Sequence, residues 1–198
     1  MNIIKKLEDL KGMTAEDKGS ILLVNGSLKP AAFVIMEGEV FRLPGNVSHI
    51  SPAQVAALDE ILTDLGLKYM TTTEVMENAS GKPYEHGQEV MRIFVSTDLQ
   101  SAEQLKAAFD DIQNNHRQAG MLLGYPITAV DAFLTPNMLD WGNHPKSTPE
   151  VSALNMRLLG HRLSKDNWQE EVKYLEPSGD YLKTTSPTIY AKITADEN

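Results

Sequence analysis

The chain contains no cysteine. That absence excludes disulfides, thiolate metal sites and cysteine nucleophiles together. It fits a reducing compartment, so the cytoplasm is the expected location. Long apolar runs are also missing. No stretch approaches the roughly 20 residues that a membrane helix needs, and no membrane partner is expected. Met1 to Lys11 alternates charged and apolar side chains and carries no signal-peptide apolar region. Positive charge is in deficit, with 18 Lys and Arg against 27 Asp and Glu and a formal net charge of −9. Such a surface repels phosphate backbones, which argues against a nucleic-acid partner.

Chemical motifs are absent too. His49, His86, His116, His144 and His161 show no metal-ligand spacing, and no Gly-x-Ser-x-Gly elbow is present. Asn25-Gly26-Ser27-Leu28-Lys29 has the outline of a phosphate loop but lacks the Gly-Lys-Ser/Thr signature. The sequence therefore calls for no cofactor and no metal.

What remains is ordinary globular material. Hydrophobic residues make up 41% and charged residues 23% of the 198 positions, which suits one domain with its own core. Ile3, Ile4, Leu7 and Leu10 recur at helical spacing before Gly12. Ile21 to Val24 is a short apolar run closed by the Asn25-Gly26 turn signal. Ala32 to Leu43 is strand-like, with Gly38 as a turn or bulge. Ser51, Pro52 and Gln54 form a capping box with proline at the first helical position, and Gly66 closes the apolar stripe Val55, Leu58, Ile61, Leu62 and Leu65. A helix is predicted over 52–65.

Leu67 to Val75 and Glu89 to Thr97 are rich in β-favouring residues and are expected to pair as a hairpin across 78–87. Ser101 with Gln104 repeats the capping pattern, and the apolar spacing predicts one long helix through Leu123. A short helix follows from Pro126 to Leu134. Ser147 with Glu150 predicts another, running to about residue 164. After Trp168 the segments at 172–175, 181–184 and 188–194 read as strands. Ile189, Ala191 and Ile193 alternate there with polar neighbours.

The order strand, helix, strand, strand, helix over residues 32–123 predicts an α+β fold. Its sheet is mostly antiparallel, helices pack on one face, and a ferredoxin-like core with additions is one form it can take. Residues 1–198 read as a single domain with a weak internal boundary at 137–146.

The most distinctive stretch is Arg117 to Phe133. Leu123-Gly124-Tyr125-Pro126, with Val130 and Phe133, resembles a segment of several prokaryotic proteins of unknown function. In those proteins a Gly-Tyr-Pro or Gly-Phe-Pro turn follows a Leu-rich helix end and precedes two cysteines and an aromatic residue. Thr128 and Ala129 stand near the places of those cysteines, so no metal or redox role carries over. The resemblance covers about a tenth of the chain and implies no activity. Physically, the stretch is a helix corner: Gly124 as C-cap, Tyr125 pushed out of the α region by the following proline, and Pro126 opening the next helix.

Candidate site residues fall into two groups. Tyr125, Trp141, Asn143 and His144 are the candidates for ligand or partner binding. Three of them lie on the loop Asp140-Trp141-Gly142-Asn143-His144-Pro145, which gathers a carboxylate, an indole, an amide and an imidazole. Trp141 can instead plug the core. His116 or His144 with Asp131 or Asp140 are the candidates for acid–base chemistry. His116 sits on the apolar face of its helix, where a neutral, hydrogen-bonded histidine is the ordinary occupant.

The leading expectation is a non-enzymatic ligand- or protein-binding module whose partner is a protein or a small molecule. If it self-associates, a homodimer is the form to expect. The alternative is a small cofactor-independent hydrolase or transferase using a His/Asp pair. A third reading is a component of a larger assembly.

Overall fold

The computed structural model describes residues 2–38, 49–76, 88–139, 154, 158 and 163–195. The first half contains α1 (Ile3–Asp9), α2 (Ala15–Asn25), β1 (Ala31–Glu37), α3 (Pro52–Asp64), β2 (Lys68–Met76) and β3 (Gln88–Ser96). The second half is helical, with α4 (Leu99–Asp110), α5 (Ile112–Leu122), α6 (Ile127–Leu134), α7 (Trp168–Lys173), α8 (Glu176–Thr185) and α9 (Pro187–Thr194).

The three strands form one antiparallel sheet in the order β1-β3-β2. Thr71 faces Ile93 across one ladder, and Val34 faces Ile93 across the other. The fold is the expected α+β class, with helices packed on an antiparallel sheet.

Side chains alternate across the sheet, as the pleat requires. Ala32, Val34, Met36, Met91, Ile93 and Val95 join the main core, which α2, α3, α8 and α9 supply with Ile21, Leu62, Leu182 and Ile193 among others. Ala31 and Phe94 face the other way, onto Leu105 of α4. There Phe33 stacks on Phe109 at 4.6 Å between ring centroids, and Phe94 meets Phe109 edge-on at 5.6 Å. Helices therefore cover both faces of the sheet and not the one face expected, because the strands alternate apolar side chains to both sides.

The strand order is that of a split β-α-β unit, as in the first three strands of a ferredoxin-like core. The arrangement departs from it in two respects. First, α4 lies on the face opposite α3. Second, no fourth strand borders β1 among the described residues. Gly12 and Asp17 occupy that edge instead. The Glu37 N–H donates to Gly12 O at 2.7 Å, and the Ile35 N–H donates to Asp17 Oδ1 at 3.3 Å.

Local signals explain where the helices begin and end. At α3 both halves of the Ser51/Gln54 capping box are made, Pro52 opens the helix, and Gly66 closes it at φ +71°. At α2 the Thr14 side chain caps the Asp17 N–H, and Ile21, Leu22, Leu23 and Val24 are all fully buried in its last turns. Burial on every side removes the helical period, so the run carries no pattern in the sequence.

The long helix expected over 101–123 is two helices. Asp98, not Ser101, is the N-cap of α4, and Asp111 breaks the chain at φ −133°, ψ 56° before α5 begins. The strands expected after Trp168 are α7, α8 and α9. Pro177 lies in the first turn of α8, and Ser186 caps α9 ahead of Pro187.

The C-terminal helices belong to the main core through Leu175, Leu182, Ile189 and Ile193. Ser186 Oγ also donates to Glu8 Oε1 at 2.7 Å, tying α9 to α1. Of the helix expected over 147–164, Leu154 and Leu158 are helical and buried, whereas Leu163 and Ser164 are outside any helix and Ser164 forms an antiparallel bridge with Met138.

Candidate functional site

The α5–α6 pair is built by its corner. The Gly124 N–H donates to Met121 O and the Tyr125 N–H donates to Gly120 O, both at 3.0 Å, which closes α5 in a Schellman turn. Gly124 sits at φ +78°, and a Cβ there would lie 3.1 Å from Pro30 Cδ and 3.5 Å from Lys29 Cα. Glycine is needed both for the dihedral and for the approach of the α2–β1 connection. Gly120 is the second contact point, because a Cβ on it would meet Val130 Cγ2 of α6 at 2.9 Å. Burial pushes the Tyr125 phenol up to about 12, so it is a neutral, inward-directed ring near neutral pH.

Arg117 of α5 pairs with Asp131 of α6 through Nη2 and Oδ1. His116, one residue earlier, lies 5.1 Å from the Phe133 ring, centroid to centroid. His116 and Asp131 thus occupy the same helix pair without meeting: the carboxylate is taken by Arg117, and the imidazole stacks obliquely on an aromatic ring. Asp140, Trp141, Asn143 and His144 lie outside the described residues. His49 Nδ1 stands 3.4 Å from Glu89 Oε2, but it is 71% exposed. Glu89 also accepts the Ile50 N–H at 2.8 Å, so this contact staples the lead into α3 onto β3.

The outer surface of α5–α6 exposes four large apolar side chains among polar ones. Met121 (53% exposed), Ile127 (48%), Phe133 (49%) and Leu134 (46%) are half of the exposed large hydrophobic residues in the described chain. They fall on two short consecutive helices. A groove of about 520 Å³ adjoins Met121, with Pro30, Leu122, Gln104 and Gln118 among its lining residues. Asn114 and Asn115 at its end are held by Asp111.

No sequence pattern marks this surface. Met121, Ile127, Phe133 and Leu134 look like core residues in a linear reading, and only the packing of α5 against α6 turns them outward. Beneath the corner lies Lys29, which is only 6% exposed. Burial lowers its ammonium from 10.5 to about 8. Lys18, similarly buried, donates to Glu8 O at 2.8 Å; the Lys29 ammonium has no such partner among the described residues.

Among the described residues, no group of histidines and carboxylates has metal-ligand geometry, and no helix is long and apolar enough to cross a membrane. Protein-family models, curated protein sequences and solved structures contain no match to this chain.

Proposed function

We propose that the chain is a non-enzymatic binding module that takes a segment of another protein onto the α5–α6 surface. The observation that carries this reading is the exposure of Met121, Ile127, Phe133 and Leu134 on two consecutive helices, with an open groove adjoining Met121. Apolar anchors of this kind dominate protein–protein affinity when a partner excludes water from them. The groove adds side-chain amides at Gln104 and Gln118, which make no hydrogen bond within the described chain. An amide offers one donor pair and one acceptor, the complement of a peptide backbone. The Arg117–Asp131 pair and the close Gly120–Val130 packing hold the two helices in fixed relation. A preformed surface loses less entropy on binding.

The test is site-specific photo-cross-linking in cells that express the full chain. A photoreactive amino acid replaces Met121 in one version and the exposed Thr63, on α3, in another. The reading expects one defined protein adduct at 121, none at 63, and loss of that adduct when Leu134→Asp is added to a variant of unchanged circular dichroism. Equal adducts at both positions, or none at 121, refute it.

A further inference from the structure

The two edges of the sheet are treated differently. The β1 edge is closed by Gly12 O and the Asp17 carboxylate, which accept the Glu37 and Ile35 N–H groups. Those bonds also fix the ladder's phase. Backbone groups in an antiparallel ladder point alternately to one neighbour and the other. Since Ile35 and Glu37 point away from β3, the residues Ala32, Val34 and Met36 bond toward it. Through the register, Val90, Arg92, Phe94 and Ser96 of β3 then bond toward β2. In β2, Lys68, Met70, Thr72 and Glu74 are consumed by β3. Tyr69, Thr71, Thr73 and Val75 present their N–H and C=O groups outward. Among the described residues nothing accepts or donates to that outer edge.

Edges of this kind are usually blunted by proline, a bulge, shortness or an inward charge. β2 has none of these. It runs nine residues, its register with β3 is uninterrupted, and its sequence KYMTTTEVM contains neither proline nor glycine. Thr71, Thr73 and Val75 are exposed along it.

We propose that the β2 edge pairs with the β2 edge of a second copy of this chain, antiparallel, with Thr71 on the two-fold axis. Charge complementarity between Lys68 and Glu74 selects this occupant and this register. A dyad at Thr71 sets Thr71 against Thr71 and Tyr69 against Thr73, so three of the four outward-pointing residues of each copy meet one another and about six backbone hydrogen bonds form, while Val75 falls opposite Leu67, whose N–H is donated to Leu62 O. The same register sets Lys68 of each copy directly opposite Glu74 of the other, on the α4 face of the sheet, where Glu74 also pairs with Arg92 of its own β3. Shifting the dyad to Met70 leaves about four backbone hydrogen bonds and shifting it to Thr72 gives about eight, but either shift loses the charge pairing and leaves Lys68 opposite Thr72 or Met76. Opposite charges facing across strands favour one register over its neighbours. The two sheets become one continuous sheet, an isologous interface closed at the dimer. This surface lies on the sheet edge, apart from α5–α6, so its test is independent of the binding module.

The absence of cysteine makes the register directly readable. In Thr71→Cys the two thiols face each other across the axis, within the range of Cα separations that a disulfide spans. In Thr73→Cys each thiol lies roughly 14 Å from its symmetry mate, too far to bridge. Sedimentation velocity on the wild-type chain is expected to show a dimer at tens of micromolar protein. Air oxidation is expected to convert most Thr71→Cys to a covalent dimer and to leave Thr73→Cys unlinked. Thr71→Pro removes an outward N–H that β3 does not use, so it is expected to give a folded monomer with unchanged melting of the helices. A wild-type chain that stays monomeric at 100 μM overturns the proposal. So does cross-linking of Thr73→Cys at the rate of Thr71→Cys.

Discussion

Replacing Lys29 by methionine should make the protein more stable at neutral pH. Lys29 is buried beneath the Gly124 corner, and its ammonium lacks a partner among the described residues. Its folded-state value lies near 8, against the 10.5 of an unfolded, solvated lysine. Each pH unit between those values is worth about 1.4 kcal/mol. The folded protein therefore carries a cost of about 3 kcal/mol at pH 7, where the group must be charged in both states. The direction follows from the depressed folded value of a base. The cost is full below about pH 8, shrinks as the pH rises from 8 to 10.5, and disappears above that range.

Methionine keeps the length and much of the volume of the side chain and carries no charge to desolvate. Urea denaturation of wild type and Lys29→Met at pH 7 and pH 10 measures the effect. We expect a gain of about 3 kcal/mol at pH 7, falling below about 1 kcal/mol at pH 10. In a chain of this size the neutral-pH gain corresponds to a rise in Tm of about 6–12 °C. A variant less stable than wild type at pH 7, or a gain that does not change between the two pH values, refutes the reasoning. Either result would mean that the ammonium is solvated or paired in the folded protein.

Two further substitutions test the framework of the candidate surface. Gly124→Ala should destabilise the protein by about 1–3 kcal/mol, because it forces a side chain into the left-handed region and toward Pro30; thermal denaturation followed by circular dichroism measures it. Glu171→Ala should cost about 3 kcal/mol. That buried carboxylate accepts the Ser164 N–H and hydroxyl, each at 2.7 Å, and the Thr128 hydroxyl at 2.6 Å, joining α6, α7 and the segment at 164. Chemical denaturation of Glu171→Ala that gives wild-type stability would show that these donors find water in its place.

Determinants that act over a few residues were legible in the sequence alone. The capping box at Ser51, the proline at 52 and the glycine at 66 delimit α3 because capping is a local exchange of hydrogen bonds. The Gly124-Tyr125-Pro126 corner follows from dihedral restrictions that belong to those residue types. β2 and β3 were readable from their β-branched and aromatic content, and their pairing from the short connection between them.

Other features depend on what each segment packs against. Ile189 and Ile193 are four residues apart. That spacing satisfies both an alternating strand and one face of a helix, and only the cap at Ser186 with burial against α2 makes it a helix. Ile21 to Val24 lost its period because neighbours cover every side of it. The exposure of Met121, Ile127, Phe133 and Leu134 is likewise decided by how α6 packs against α5, and among the described residues the outer edge of β2 is left unpaired because β3 takes its inner edge. The chain determines its turns and caps through local dihedrals and hydrogen bonds. Which apolar faces stay exposed was settled only when the tertiary structure distributed a single set of apolar side chains between core and surface.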